Sequence, residues 1–386
     1  MNLSDAILEA LASTLPSEGF KPLHEPCFEG REWEYVKECL DTGWVSTAGK
    51  FVDRFESMLQ EFTGARRAVA VVNGTAALHA ALVLAGVRPG DEVVMPALTF
   101  VATANAVAYI GATPHFVDCE ESSLSMCPES LAARLEAVAE IRDGACVNKE
   151  TGRRISVVVP MHAFGHAADL DGLLDICGRY GLVMVEDSAE SLGSYYRGRH
   201  TGLFGLMGIL SFNGNKTVTT GGGGAILTND EALADRAKHV TTTAKLPHKW
   251  EYVHDRVGFN YRLPNINAAL GCAQMEVLPD FLARKRRLAE AYARAFDAVN
   301  GVRFVTEPEG RRSNYWLNAL LLDEDLADLR DEVLEKTNAA GVMTRPAWTL
   351  MHRLAMYQDC PRGDLSVSES LERRLINIPS GPKLHG

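Results

Sequence analysis

One lysine stands in surroundings that a surface lysine does not need. Lys216 lies in "ILSFNGNKTVTTGGGGAIL" (209–227), where an apolar segment leads into a polar turn, and glycines then precede a second apolar segment. A buried lysine is more easily deprotonated and becomes a nucleophilic amine, which suits it to covalent bonding with an aldehyde. The alternative is a lysine whose stem is buried while its ammonium reaches solvent.

A second stretch, "VVNGTAALHAAL" (71–82), has the features of an anion site. The pattern predicts a strand that ends at Val72, a turn at residues 73–74 and a helix that begins near Thr75. Free backbone N–H groups at a helix start favour phosphate, Gly74 lets the backbone approach, and the Thr75 hydroxyl adds a bond. The alternative is a threonine that only caps the helix.

A third stretch, "VEDSAESLGS" (185–194), ends an apolar strand in two carboxylates, Glu186 and Asp187. A carboxylate there could hold a cation or a protonated ring nitrogen, or it could be a solvated strand end or a helix cap. Ligands of open α/β sheets gather at the carboxyl ends of strands. A phosphate cup, a carboxylate and an amine together are what pyridoxal 5′-phosphate (PLP) requires.

The elements that must position these residues follow from short apolar, β-branched runs. Helix-like stretches separate several of these runs, which predicts a largely parallel sheet covered on both faces. The runs are residues 68–72, 91–95, 114–118, 155–160, 181–187 and 224–228.

The C-terminal part of the sequence has a different character. A long helix is predicted from about residue 264, with a bend at Pro279, followed by a smaller α+β region. We expect an N-terminal arm (1–25), a large α/β domain (26–250) and a small C-terminal domain (251–386).

Composition narrows the function classes. The 386 residues carry a formal net charge of −11, which argues against nucleic-acid binding, and the eight cysteines contain no C-x-x-C pair, so no metal site is expected. No apolar run approaches the length of a membrane span, and no secretory signal is visible at the N-terminus, so we expect a cytoplasmic protein.

The motifs taken together resemble the DegT/DnrJ/EryC1/StrS family of nucleotide-sugar aminotransferases. The resemblance spans about residues 20–380 and is carried by "NGTAALHAAL", "GDEVVMPALTFVATANAV", "VEDSAESLGS", "SFNGNKTVTTGGGGAIL" and "GFNYRLPNINAALG". It implies the PLP-dependent transferase type I (aspartate-aminotransferase-like) fold. "LHEPCFEGREWEYVKECLDTGWVSTAGKFVDRFE" and "TRPAWTLMHRLAMY" resemble the LegC branch more closely.

The resemblance also implies roles for single residues. Lys216 corresponds to the Schiff-base lysine, Asp187 to the partner of the pyridine nitrogen, and Glu190 replaces a glutamine that often contacts the ring oxygen. Asn260 corresponds to an asparagine that reaches the phosphate in the neighbouring subunit, which implies a homodimer with shared active sites. The other implied cofactor contacts are Gly74, Thr75 and Ser211 at the phosphate and Phe100 stacked on the ring.

Candidate substrate contacts carry weaker signals. His162 lies just past a predicted strand, where a structural hydrogen bond is the alternative role. Arginines suit a carboxylate or a diphosphate, although surface ion pairs are equally compatible with them. The candidates are Ser46, Thr47, His162, Arg262 and Arg345.

The glycine run 221–224 is interpreted as close backbone packing near a flat cofactor or a partner chain, with a β-bulge as the alternative.

The predicted function is transfer of an amino group from glutamate to C4 of a nucleotide-linked 4-keto-6-deoxy sugar. The resemblance to the LegC branch indicates UDP-2-acetamido-2,6-dideoxy-hexos-4-ulose and the biosynthesis of legionaminic acid, bacillosamine or a related lipopolysaccharide sugar. One alternative is a GDP-perosamine-synthase-type enzyme, and another is a non-catalytic regulator of the same fold. A C-3 deoxygenating relative would carry histidine at the position of Lys216.

Overall fold

A computed structural model describes residues 2–384, and its centre is a seven-stranded sheet. The strands of this sheet lie in the order β1-β11-β10-β7-β6-β2-β3, with the bounds β1 (Arg67–Val71), β2 (Glu92–Pro96), β3 (Thr113–Val117), β6 (Ile155–Val158), β7 (Val183–Asp187), β10 (Met207–Ser211) and β11 (Gly224–Thr228). The remaining strands are β4 (Ala139–Arg142), β5 (Ala145–Asn148), β8 (Tyr195–Tyr196), β9 (Arg199–His200), β12 (Val302–Phe304), β13 (Arg311–Arg312), β14 (Asn318–Leu322), β15 (Arg345–Pro346) and β16 (Leu375–Ile378).

The sheet is mostly parallel, as the sequence predicted. Only β11 runs antiparallel to its two neighbours, β1 and β10, while the other adjacent pairs are parallel. Each predicted apolar run forms one of these strands, with differences of only one or two residues at most ends.

Helices cover both faces of the sheet. The helices are α1 (Leu3–Thr14), α2 (Glu32–Thr42), α3 (Lys50–Thr63), α4 (Gly74–Leu84), α5 (Val101–Tyr109), α6 (Pro128–Val138), α7 (Leu170–Tyr180), α8 (Glu231–Thr241), α9 (Asn265–Phe296), α10 (Arg330–Ala339) and α11 (Ser366–Arg374). Alternation along β1 shows the two faces. Val69 and Val71 pack among residues of α4 and α8, whereas Ala68 and Ala70 pack among residues of α3 and α9.

Helix α9 connects the central sheet to the C-terminal part of the chain. It contains Pro279 and remains helical from Asn265 to Phe296. Its first half contributes Ala269 and Cys272 to the core beneath the large sheet, and its second half contributes Leu288 and Tyr292 to a second core. That second core covers the antiparallel sheet β12-β14-β16-β15, which is the predicted smaller α+β region.

The N-terminal residues 1–25 were expected to form an arm. Helix α1 lies within these residues and buries Ile7 and Leu11 in the core of the C-terminal sheet, against α9. The domain limits 26–250 and 251–386 stay predictions, because α9 belongs to both cores. Among residues 2–384, no helix is long and apolar enough to cross a membrane.

Candidate active site

A cavity of about 330 Å³ opens at the carboxyl ends of β7 and β10 and at the start of α4. It brings together most of the residues that the sequence assigned to a cofactor, although they are up to 142 positions apart (216 − 74). The predicted residues that line it are Gly74, Thr75, Phe100, Asp187, Glu190, Ser211 and Lys216.

The start of α4 forms an anion cup. The Asn73 side chain accepts a hydrogen bond from the Ala76 N–H (2.7 Å), and the Asn73 carbonyl accepts one from the Ala77 N–H (3.0 Å). The helix therefore begins one residue earlier than predicted and is capped by Asn73, which leaves the Gly74 and Thr75 N–H groups for a ligand. A Cβ at Gly74 would lie 2.9 Å from the Cβ of Ser211, so glycine is what lets that hydroxyl-bearing residue close the cup.

Part of the glycine run 221–224 packs against the turn that forms this cup. A Cβ at Gly224 would lie 2.5 Å from the Asn73 carbonyl carbon and 2.7 Å from the Gly74 nitrogen. Gly221 has a φ of +76°, and a Cβ at Gly223 would clash with the Thr220 hydroxyl, whereas nothing lies closer than 4.0 Å to a Cβ at Gly222. Gly224 is therefore closely packed, but its neighbour is the turn before α4 in the same chain, whereas the prediction named a cofactor or a partner chain.

The two carboxylates at the end of β7, Glu186 and Asp187, point to opposite faces of the sheet, because successive side chains alternate along a strand. Asp187 faces the cavity, where the Thr103 hydroxyl donates to its Oδ2 (2.7 Å) and the Ala189 N–H donates to its Oδ1 (3.2 Å). Burial raises the pKa of Asp187 despite these donors. Glu186 points the other way and accepts hydrogen bonds from backbone N–H groups, so it is a structural residue.

Lys216 lies between a carboxylate and an aromatic ring. Its Nζ donates to Glu190 Oε1 (3.0 Å) and lies 3.8 Å from the centroid of the Trp316 ring. The lysine side chain is only 12% exposed and lines the cavity, so it is not a surface lysine. Burial raises the pKa of Glu190 to about 7.

Two tryptophans of the C-terminal region complete the wall of the cavity, and no sequence pattern indicated their role there. Trp316 lies over Lys216, and its indole N–H donates to the Asn215 carbonyl (2.7 Å). Trp348 stacks on Phe164, with ring centroids 4.6 Å apart, and lies 6.2 Å from the exposed Phe100 ring.

The predicted substrate contacts do not line this cavity within one chain. His162 is fully buried, shares a hydrogen bond with Glu186 (3.1 Å) and accepts one from the Ala168 N–H (3.2 Å), which is the structural role. Ser46 and Thr47 lie on the surface segment before α3, where the Ser46 carbonyl accepts the Asn265 N–H. Arg345 is exposed and bonds to Asn338.

Asn260 also lies outside the cavity lining. It is exposed, and its side-chain oxygen accepts a hydrogen bond from Arg262 (3.2 Å). An exposed position is what a contact to a neighbouring subunit requires, but the single chain does not test that contact.

The donor set of the cavity fits PLP. A helix start with two free N–H groups and Ser211 suits the phosphate, Asp187 suits a protonated pyridine nitrogen, and Lys216 suits the aldehyde. Among residues 2–384, no cluster of His, Cys, Asp or Glu could hold a metal ion.

The fold and this cavity define a PLP-dependent aminotransferase of the type I fold. Residues 26–386 match the DegT/DnrJ/EryC1/StrS aminotransferase family, and the chain belongs to this family.

Relatives and solved structures agree with this assignment. The chain is 35% identical over 365 residues to the GDP-perosamine synthase of Escherichia coli O157:H7, covering 94% of both chains. It is 37% identical to the GDP-perosamine synthase of Caulobacter vibrioides, covering 92% of this chain and 91% of that one. The crystal structure of the aminotransferase TlmJ from Streptoalloteichus hindustanus superposes with a TM-score of 0.84 at 29% identity, covering 95% of this chain and 94% of that one.

These matches make the chain a PLP-dependent sugar aminotransferase. They do not confirm the closer resemblance to the LegC branch, since these two curated relatives are named for a GDP-linked sugar.

Proposed function

We propose that this enzyme transfers the amino group of glutamate to C4 of a nucleotide-linked 4-keto-6-deoxy sugar, with a UDP-linked 2-acetamido sugar as its preferred acceptor. The observation that carries the transaminase chemistry is the convergence of the Lys216 amine, the Asp187 carboxylate and the α4 start in one cavity. A non-catalytic regulator of the same fold would not need this amine, carboxylate and helix start in one cavity.

The residues of the cavity divide the work. PLP, when bound, supplies an electron sink for the pair of electrons left on carbon when a proton is removed. Lys216 moves that proton: it takes it from the α-carbon of the amino donor and, in the second half-reaction, delivers one to C4 of the sugar. Proton transfer of this kind contributes about 10²–10⁴-fold to a rate.

Other residues hold the reacting groups in place. Asp187 would pair with the pyridine nitrogen, oriented by the Thr103 hydroxyl, and Phe100 would stack on the ring. Trp316 and Trp348 narrow the cavity on the side of the C-terminal region and so limit the access of water to Lys216.

A homodimer completes the proposed site. Asn260 of each chain would reach the phosphate in its partner, and the proposal rests on the family resemblance and on the exposure of Asn260. Glutamate as amino donor and cytoplasmic location are likewise part of the proposal.

The choice of sugar rests on the stretch "TRPAWTLMHRLAMY" (344–357). Its Trp348 lines the cavity, so the stretch with the LegC-like sequence lies where a substrate could contact it. The named relatives favour the rival acceptor, since both are GDP-perosamine synthases. An acetamido group discriminates between sugars because a buried amide left without partners costs about 1–3 kcal/mol.

A competition assay tests the proposal. Equal concentrations of the UDP-linked acetamido keto sugar and GDP-4-keto-6-deoxymannose are supplied with isotope-labelled glutamate, and the amino sugars are followed by mass. We expect labelled nitrogen in the UDP product, with at least about tenfold higher kcat/KM, equivalent to about 1.4 kcal/mol.

The Lys216→Ala variant is the control and should transfer no label. Faster amination of the GDP sugar would assign the perosamine-type activity instead. Turnover by Lys216→Ala would remove the proposed catalytic role of the lysine.

A further inference from the structure

Glu190 and Lys216 form a buried pair that the mechanism above does not use. Glu190 Oε1 accepts a hydrogen bond from Lys216 Nζ at 3.0 Å, and the Glu190 side chain is 1% exposed. Its second oxygen, Oε2, accepts the Phe164 N–H at 2.9 Å. The Glu190 carboxylate therefore accepts one hydrogen bond from a fixed backbone N–H and one from the amine that is proposed to react with the cofactor.

The charges around this pair are few. Asp187 is the other carboxyl group that lines the cavity in the described part of the chain, and its charge raises the pKa of Glu190. Lys216 is the cation that opposes it. The remaining neighbours from the C-terminal region, Trp316 and Asn314, are uncharged; Asn314 donates its side-chain N–H to the Glu190 backbone carbonyl (2.9 Å).

We propose that Glu190 stores the proton of Lys216: it is ionised while Lys216 is a free ammonium, and it becomes a carboxylic acid when the lysine nitrogen bonds to the cofactor. The inference rests on the proposed role of Lys216. It also gives a reason for a glutamate at this position, because a glutamine cannot accept the proton.

The proton balance is simple. For Lys216 to bond to the aldehyde carbon of the cofactor, its ammonium must first lose one proton; the neutral amine then forms a C=N bond with an uncharged nitrogen, and the aldehyde oxygen leaves as water with the two amine hydrogens. Glu190 takes this proton through the existing 3.0 Å hydrogen bond. When an amino donor displaces the lysine, the proton returns to the Lys216 amine, and the ion pair forms again.

The electrostatics of the site support this exchange. Burial raises the pKa of Glu190 to about 7, although the charge of Lys216 acts to lower it. Loss of the ammonium charge removes that attraction, so the pKa rises further. Above about pH 7, Glu190 is therefore mostly ionised beside the free lysine, and bonding of the lysine shifts it toward the protonated form; at about pH 6 it is largely protonated in both states.

Infrared difference spectroscopy of cofactor binding tests the proposal. Spectra of the cofactor-free protein are subtracted from spectra of the protein loaded with PLP at about pH 8, in light and heavy water. Wild type should gain the C=O band of a protonated carboxylic acid, shifted in heavy water. The Glu190→Gln variant should lose this band, and at about pH 6 the gain in wild type should largely disappear.

Glu276→Gln is the matched control, because Glu276 is a partly buried carboxylate that pairs with Arg54 outside the cavity. It should keep the band. If Glu190→Gln does not fold, the Asp187→Asn variant is used to assign the carboxylic acid band. A band that persists in Asp187→Asn must come from Glu190, the other carboxyl group that lines the cavity.

Two results would overturn the inference: no acid band in wild type, or a band that persists in folded Glu190→Gln. Borohydride reduction and peptide mapping distinguish a failure of the Glu190 proposal from a failure of the proposed function. A cofactor label on Lys216 in both proteins means that the lysine assignment holds whatever the infrared result, and a label on another lysine refutes that assignment itself.

Discussion

Asp187 and Glu186 are adjacent on β7, but their carboxylates have opposite surroundings. Burial acts to raise the pKa of Glu186, but a hydrogen bond with His162 and backbone N–H donors from Gly202 and Gly205 outweigh it and lower that pKa. Asp187 has fewer donors and faces a cavity, so its charge is free to pair with a ligand. The partner proposed for this charge is the protonated pyridine nitrogen of PLP.

Substitution of Asp187 by Asn should therefore separate binding from catalysis. The amide keeps the shape of the carboxylate, so PLP should still bind and bond to Lys216, as absorbance and borohydride labelling would show. An amide cannot hold the ring nitrogen in its protonated form, so turnover should fall by about 10²-fold or more, the size expected for loss of one preorganised electrostatic group. Near-wild-type turnover with bound cofactor would contradict this role.

At the residue scale, the sequence predicted the polar groups of the cavity better than its walls. Asp187 ends β7, while Lys216 and the α4 start follow β10 and β1. The carboxyl ends of parallel strands share one edge, so the convergence of these groups follows from the pattern. Trp316 and Trp348 come from the C-terminal region, and an aromatic residue inside an apolar run indicates a core position equally well. Their place at the site depends on how the two regions pack.

The packing of Trp316 shows which interactions a linear pattern cannot reveal. The Asn314 side chain accepts a hydrogen bond from the backbone N–H of Trp316 (2.8 Å) and donates one to the Leu192 carbonyl (2.9 Å). The buried Lys285 donates a hydrogen bond to the Trp316 carbonyl (3.2 Å). Tyr315 between them has a φ of +48°. The contact between Asn314 and Leu192 joins residues 122 positions apart, and that between Lys285 and Trp316 joins residues 31 positions apart, so no local spacing predicts them.

At the element scale, the phosphate cup depends on β11 lying directly against the turn before α4. A Gly224→Ala substitution places a Cβ 2.5 Å from the Asn73 carbonyl carbon, which is backbone and cannot rotate away. Overpacking of this kind costs about 1–3 kcal/mol. Because relief of the clash moves the turn, we expect the affinity for PLP to fall by about tenfold or more, measured by titration of the cofactor-free protein.

Gly222→Ala is the matched control from the same glycine run. Its Cβ would have no neighbour closer than 4.0 Å, so both PLP affinity and thermal stability should stay near those of wild type. Equal effects of the two substitutions would show that the run responds to lost flexibility rather than to contact with the turn.

At the scale of the whole molecule, the segment before Asn260 exposes several large apolar side chains. Between α8 and α9 it exposes Trp250 (70%), Tyr252 (80%) and Val257 (87%). Apolar side chains concentrated on one exposed segment are typical of an interaction surface. The sequence placed Asn260 at a subunit interface by resemblance alone, and a single chain leaves that assignment a prediction.

Mixing the subunits of two inactive variants tests whether Asn260 contributes to the active site of its partner. In a heterodimer of Lys216→Ala and Asn260→Ala chains, one of the two sites combines the intact lysine of one chain with the intact asparagine of the other. Random exchange of equal amounts makes about half of the dimers mixed, so about a quarter of all sites, and of wild-type activity, should return. Each variant incubated alone should stay inactive.

The control mixture pairs Lys216→Ala with Asp187→Asn. Both residues line the same cavity of one chain, so every site in that heterodimer lacks one of them, and no activity should return. Exchange is verified in both mixtures by mass spectrometry of differently tagged chains. Recovery in the first mixture alone places Asn260 across the interface, whereas no recovery after verified exchange counts against the shared site. The test requires that Asn260→Ala be inactive by itself, and activity of that variant refutes an essential role of Asn260.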